Sequence, residues 1–113
     1  MPIVDTNTLE PRDPKPGWHG RFFRSETMTF GYYEIDAGAT LHEHFHENEE
    51  VWHVVAGELA LTISGVEQVA GPGCAAMVPP NAPHAARAIT HCRAIVVDQG
   101  IREEIGGVST AAG

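Results

Sequence analysis

Between Met28 and Asp98 the chain breaks into short apolar or alternating runs, and this limits it to a fold made of strands. The runs cover residues 28–36, 50–56, 59–64, 66–70, 75–78, 84–89 and 93–98. Ala37-Gly38, Gly57, Ser64-Gly65, Gly71-Pro72-Gly73, Pro79-Pro80-Asn81 and Gly100 punctuate them. Many short strands with Gly and Pro turns between them specify an all-β sandwich or barrel. A helix candidate, Ile101-Arg102-Glu103-Glu104-Ile105, is too short to change that class. Residues 1–20 read as an irregular N-terminal arm, 21–105 as one barrel domain, and 106–113 as a flexible tail.

The sequence has 113 residues, of which 42% are hydrophobic, enough for one small core. Its formal charge is -8. So acidic a surface repels nucleic-acid phosphates and anionic lipid heads, and neither is an expected partner. An anion can still enter a pocket where a metal sets the local potential. No apolar run approaches membrane-spanning length, and the first seventeen residues lack the basic start and apolar stretch of a signal peptide. Cys74 and Cys92 form no C-x-x-C pattern and read as reduced thiols of a cytoplasmic protein.

Three of the seven histidines fall within the stretch His42-Glu43-His44-Phe45-His46-Glu47-Asn48-Glu49-Glu50. Neutral imidazole is a good ligand for divalent transition metals, and a carboxylate adds a hard oxygen donor. His44, His46 and Glu50 therefore read as the start of a metal site whose fourth ligand lies elsewhere in the chain. On a strand, alternation sends His44 and His46 to one face. Glu50 shares a face with Trp52, Val54 and Ala56, while Val51, His53 and Val55 take the other. Both faces are apolar, so the second must be covered by another layer or a second subunit. Glu49 fits the spacing worse than Glu50, and His42 reads as a bystander at the barrel mouth. The competing reading of the stretch is a solvated polar loop.

The wider pattern is Gly38, five residues, His44, one, His46, three, Glu50, six, Gly57. At each of these positions it resembles the first signature motif of the cupin superfamily. Gly73, five residues, Pro79, one, Asn81, two, His84 stands where the second motif is expected. Asn81 replaces a usual Gly, Ala88 a usual Asn, and Cys74 a common acidic residue. Asn tolerates a left-handed backbone better than most residues, so the turn is expected to survive. The resemblance covers residues 28–100. It implies a jelly-roll β-barrel, or double-stranded β-helix, in which His44, His46, Glu50 and His84 bind one divalent metal, whether Fe, Mn, Ni, Co or Zn. Two positions of an octahedron would stay open for water or substrate, which marks a metal placed for chemistry. Small cupins also typically pair, so a homodimer is expected.

Trp52, Met77, Ala86 and Phe30 are candidates for the pocket wall, with plain core as the alternative. One of Tyr32 and Tyr33 is a further candidate. The end of the last run, Asp98, partly resembles small cupins that ketonise unsaturated uronate sugars. Those end this strand in Asp, with an aromatic and an Arg beyond it. Here Gly100 takes the aromatic position and Arg102 comes early. Asp98 is the candidate general acid/base; its alternative is a strand-end aspartate at the surface, or one paired with Arg93 or Arg102. Three functional classes follow. The first is a metal-dependent enzyme acting on a small oxygenated molecule, by isomerase, cyclase, ketonising or dioxygenase chemistry. The second is a non-catalytic module binding a sugar or organic acid. The third is a structural metal site.

Overall fold

The computed structural model describes residues 3–101 and 109–110. It holds eleven strands: β1 (Arg12–Lys15), β2 (Trp18–Arg24), β3 (Met28–Ile35), β4 (Thr40–His44), β5 (Glu50–Ala56), β6 (Leu59–Ile63), β7 (Val66–Ala70), β8 (Ala75–Val78), β9 (His84–Ala88), β10 (Cys92–Gln99) and β11 (Ser109–Thr110). A single 3-10 turn, Thr6–Thr8, precedes them. The larger sheet runs β1-β2-β3-β10-β5-β8, with β11 added in parallel beside β2. The smaller runs β4-β9-β6-β7. The all-β fold expected of the strand pattern, and the jelly roll that the resemblance implies, are observed. Among the described residues no helix is long and apolar enough to cross a membrane.

Period-two alternation fixes which side chains meet between the sheets. Along β10, Cys92, Ala94, Val96 and Asp98 point inward, and along β5 so do Glu50, Trp52 and Val54. Leu59, Leu61, Ala86 and Ala88 answer from the smaller sheet. Trp18 packs edge-on against both Tyr33 and Trp52, with ring centroids 5.6 and 5.9 Å apart. Its indole N–H donates to the Thr40 carbonyl at 3.1 Å, which satisfies the buried polar tip.

Two expectations change. The arm is not irregular throughout: β1 and the start of β2 lie within residues 1–20 and pair as a hairpin. The alternating segment Trp18-His19-Gly20-Arg21-Phe22 buries Trp18, Gly20 and Phe22 on one face, so the core claims it. Met77 and Phe30 are not on the inner face. Met77 stands opposite Val51, and Phe30 opposite Val97, on the outer side of the larger sheet. Ala86 is core. Within the tail, Ser109–Thr110 pairs with β2, while residues 106–108 and 111–113 lie outside the described residues. So do Arg102 and the helix candidate, apart from Ile101, which is not helical.

Candidate metal centre

Three imidazoles and two carboxylates converge between the sheets. His44 ends β4 directly opposite His84, which opens β9. Their ring centroids are 4.2 Å apart. A register shift between Leu41 and His44 bulges the end of β4 and turns it toward this partner. His46 lies beyond the strand, so the two histidines do not share one strand as alternation suggested. A loop aims His46 instead. Its carbonyl accepts from the Asn81 N–H at 2.7 Å, and Asn81 is left-handed with φ 64°, as the tolerance of Asn for that backbone led one to expect. Glu50 opens β5, with Val78 and Asp98 as its neighbours across the two flanking pairs.

The backbone sets the tautomer of every ring. Nδ1–H of His44 donates to the His42 carbonyl at 3.0 Å, that of His46 to the Asn48 carbonyl at 2.9 Å, and that of His84 to the Ala82 carbonyl at 2.9 Å. A carbonyl only accepts, so each neutral ring carries its hydrogen on Nδ1 and keeps a lone pair on Nε2. His46 Nε2 lies 3.2 Å from Glu50 Oε2, and His84 Nε2 lies 3.5 Å from Glu50 Oε1. His46 Nε2 is buried and makes no hydrogen bond. Lone pairs facing each other at that distance away from water repel unless a cation lies among them. The donor atoms of His44, His46 and His84 lie within 4.8 Å of one another, as do those of His46, Glu50 and Asp98. Aromatic nitrogens with carboxylate oxygens suit a divalent transition metal. The cluster fits such an ion.

Electrostatics agree with that fit. Burial disfavours the charged form of His44 and pushes its pKa down, despite the His42 carbonyl that accepts from it, which favours the neutral ring that a metal would need. Burial alone would raise Glu50. Hydrogen bonds to its oxygens, from the His46 and His84 rings when Nε2 carries a proton, from the Asp98 carboxyl and from the Trp52 indole N–H, hold it well below the usual carboxylate range.

These shifts predict acid lability with a definite sign. An unfolded histidine titrates near 6.5 and an unfolded glutamate near 4.5. As pH falls below the first value, the unfolded chain takes up a proton that folded His44 resists, and stability drops. Glu50 repeats this below the second. His19 opposes it: hydrogen bonds to Asp13 and Asp36 raise its pKa, so its contribution is present at low pH and lost as pH rises, but it is fully exposed and screened. Protons also compete with metal for the imidazoles. Melting temperature is expected to fall between about pH 7 and about pH 5, more steeply with metal than with chelator. A metal-loaded melt that does not move over that interval would contradict the assignment.

A cavity of about 350 Å³ opens on the cluster. His42, His44, Glu50, Trp52 and Asp98 form part of its wall. Pro14, Lys15, Trp18 and Tyr33 form more of it. Of the two candidate tyrosines, Tyr33 therefore enters the pocket and Tyr32 does not. Asp98 is buried, and its carboxyl engages Glu50; Arg93 pairs with Glu34 instead. His53 is exposed on the outer face, and His91 is an exposed partner of Glu34. Reading the sequence missed the contribution of Pro14, Lys15 and Trp18. The available signal was Pro16-Gly17, a turn followed by an alternating aromatic run.

A family profile described as Cupin domain matches residues 31–98. The uncharacterized protein SCO3923 of Streptomyces coelicolor is 32% identical over 73 residues, 65% of this chain and 70% of that protein. An RmlC-like cupin from Shewanella frigidimarina superposes with a TM-score of 0.85 at 25% identity, over 90% of this chain and 93% of that one. KdgF from a Halomonas species gives 0.85 at 21% identity, over 91% and 96%. Oxalate decarboxylase from Bacillus subtilis gives 0.77 at 19% identity, over 86% of this chain and 29% of that longer one. With the barrel, the motif spacing and the profile in agreement, the chain belongs to the cupin family.

Proposed function

We propose that this cupin is a metal-dependent enzyme acting on a small oxygenated metabolite through one divalent transition metal held by His44, His46, Glu50 and His84. The observation that carries this reading is the cavity of about 350 Å³, whose wall contains both metal-ligating side chains and the buried Asp98. Purely structural metal sites are closed by their ligands, and this one faces a chamber of metabolite size. When bound, the ion supplies Lewis acidity toward an oxygen of the metabolite, or redox chemistry if it is iron or manganese. Asp98 holds or accepts a proton at the cavity wall, next to Glu50. Trp52 fixes the Glu50 carboxylate through its indole N–H and, with Trp18, gives the cavity apolar wall. Isomerisation, ketonisation, cyclisation and dioxygenation all remain within reach of these groups. Oxalate decarboxylase, a structural neighbour, carries Mn(II) centres, which supports manganese among the candidates Fe, Mn, Ni, Co and Zn.

Metal analysis of protein purified from its native host is expected to give one divalent ion per chain. That preparation would then be screened on unsaturated uronates, enediols, thiols and polyketide aromatics. Turnover that survives His46→Ala would sink the site. Tight ligand binding without turnover, whatever the metal and oxygen supply, would favour the non-catalytic module. The free thiols of Cys74 and Cys92 favour a reducing compartment, and we place the protein in the cytoplasm.

We further propose that the chain pairs with a second copy through the outer face of the larger sheet. Met77, Val51, Val97, Phe30 and Phe23 form one continuous cross-strand row there. Met77 is 67% exposed, and such a strip on a small barrel favours a covering surface. Sedimentation equilibrium is expected to give a dimer for the wild type and a monomer for Val97→Glu; a wild-type monomer at micromolar concentration would contradict this.

A further inference from the structure

The sequence contains one lysine, Lys15, and it stands in the cavity wall. None of the described arginines lines that cavity. Arg21 donates to the Leu9 carbonyl, Arg87 pairs with Glu67, and Arg93 pairs with Glu34. Lys15 is therefore the one lysine or arginine among the cavity's described lining residues.

Its position is built. Lys15 ends β1 opposite Trp18, across the two-residue turn Pro16-Gly17. The Gly17 carbonyl accepts from the Asp36 N–H at 2.9 Å; on the other side Asp13 meets one nitrogen of the His19 ring at 3.0 Å, and the other nitrogen meets the Asp36 carboxylate at 3.1 Å. The hairpin is thus tied to the barrel on both sides of the lysine. The side chain is half-buried, and among the described residues it has no ion-pair partner, although the sequence carries fifteen acidic residues. On so acidic a chain, a half-buried ammonium that pairs with no described carboxylate is placed to meet an anion that arrives from outside.

We propose that Lys15 binds a carboxylate of the metabolite, which makes the ligand an organic acid with an anionic group apart from the oxygens that face the metal cluster. This rests on the metal reading above. The charge balance supports it. A divalent ion brings two positive charges, Glu50 and Asp98 offset no more than those two, and Lys15 leaves the chamber with a positive excess. Trp18 and Tyr33 provide apolar wall for the carbon body between the two ends.

The test uses the full chain loaded with Co(II), and two probes that share an α-hydroxy acid head. L-malate ends in a carboxylate and 2-hydroxybutyrate ends in a methyl group. Calorimetry is expected to show malate binding at least about tenfold more tightly to the wild type. Lys15→Met is expected to erase that preference and Lys15→Arg to restore most of it, with Co(II) affinity unchanged in both. Because Lys15 is the only side-chain amine, reductive methylation read by mass spectrometry gives a second measurement: malate should protect it and 2-hydroxybutyrate should not. Equal binding of the two probes by the wild type, a preference that persists in Lys15→Met, or absent protection would each overturn the lysine assignment and leave the metal reading standing. A wild-type protein that takes up no Co(II) would overturn the metal reading, and this one with it.

Discussion

Glu50→Gln is expected to lower metal affinity by roughly a hundredfold or more while leaving the barrel folded. The amide keeps the shape of the carboxylate and an oxygen for the Trp52 indole to donate to. It loses the negative charge that balances the ion, and it can turn an N–H toward the His46 Nε2 lone pair. The readout is a melt with and without metal. At a metal concentration a thousandfold above its dissociation constant, linkage stabilises the wild type by about 4 kcal/mol, which in a domain of this size raises Tm by roughly 15 °C or more. In Glu50→Gln a hundredfold loss leaves about 1.4 kcal/mol of that linkage, so the rise should shrink to about a third or less, with the chelated protein melting close to chelated wild type. If metal raises the Tm of both proteins equally, Glu50 is not a ligand. If the chelated variant is unfolded, the carboxylate is structural.

Gly57→Ala is expected to cost about 2–4 kcal/mol without touching the site. Gly57 turns the chain from β5 to β6 with φ 79°. A Cβ there would lie 2.1 Å from the His91 carbonyl oxygen and 2.9 Å from the Cys92 Cα, both backbone atoms that cannot swing aside. Gly65 is a built-in control: its φ is 82°, but nothing lies within 4 Å of the added Cβ. Gly65→Ala should therefore cost only the left-handed backbone penalty, about 1 kcal/mol. Urea unfolding of the chelated variants measures both. Equal losses at the two positions would show that the contact with the 91–92 backbone is relieved by movement.

Local signals carried much of this molecule, and contacts between distant segments carried the rest. The strand runs were legible because their alternation is enforced by a core on one side, as Glu50, Trp52 and Val54 show. The four residues proposed as ligands were legible because their spacing follows from two short turns, one of them held by left-handed Asn81. The position of His46 was legible but its support was not: a loop and a hydrogen bond from a residue thirty-five positions later orient it. Met77 shows a different limit. Its face depends on the register of β8 against β5, which no pattern within a four-residue strand declares. The hairpin that brings Lys15 and Trp18 to the cavity was hidden among prolines that resemble a linker, because only its pairing with β3 makes it part of the barrel.

The donors come from both layers of the barrel. His44 and His84 belong to the smaller sheet, Glu50 and Asp98 to the larger, and His46 to the loop between β4 and β5. An ion bound among them works as a rivet through two plates. It cannot be fully gripped until the plates have closed, and it cannot leave without their parting or surrendering ligands on one side. The rate at which a bound ion escapes to a strong chelator would therefore set an upper limit on how often the two sheets part.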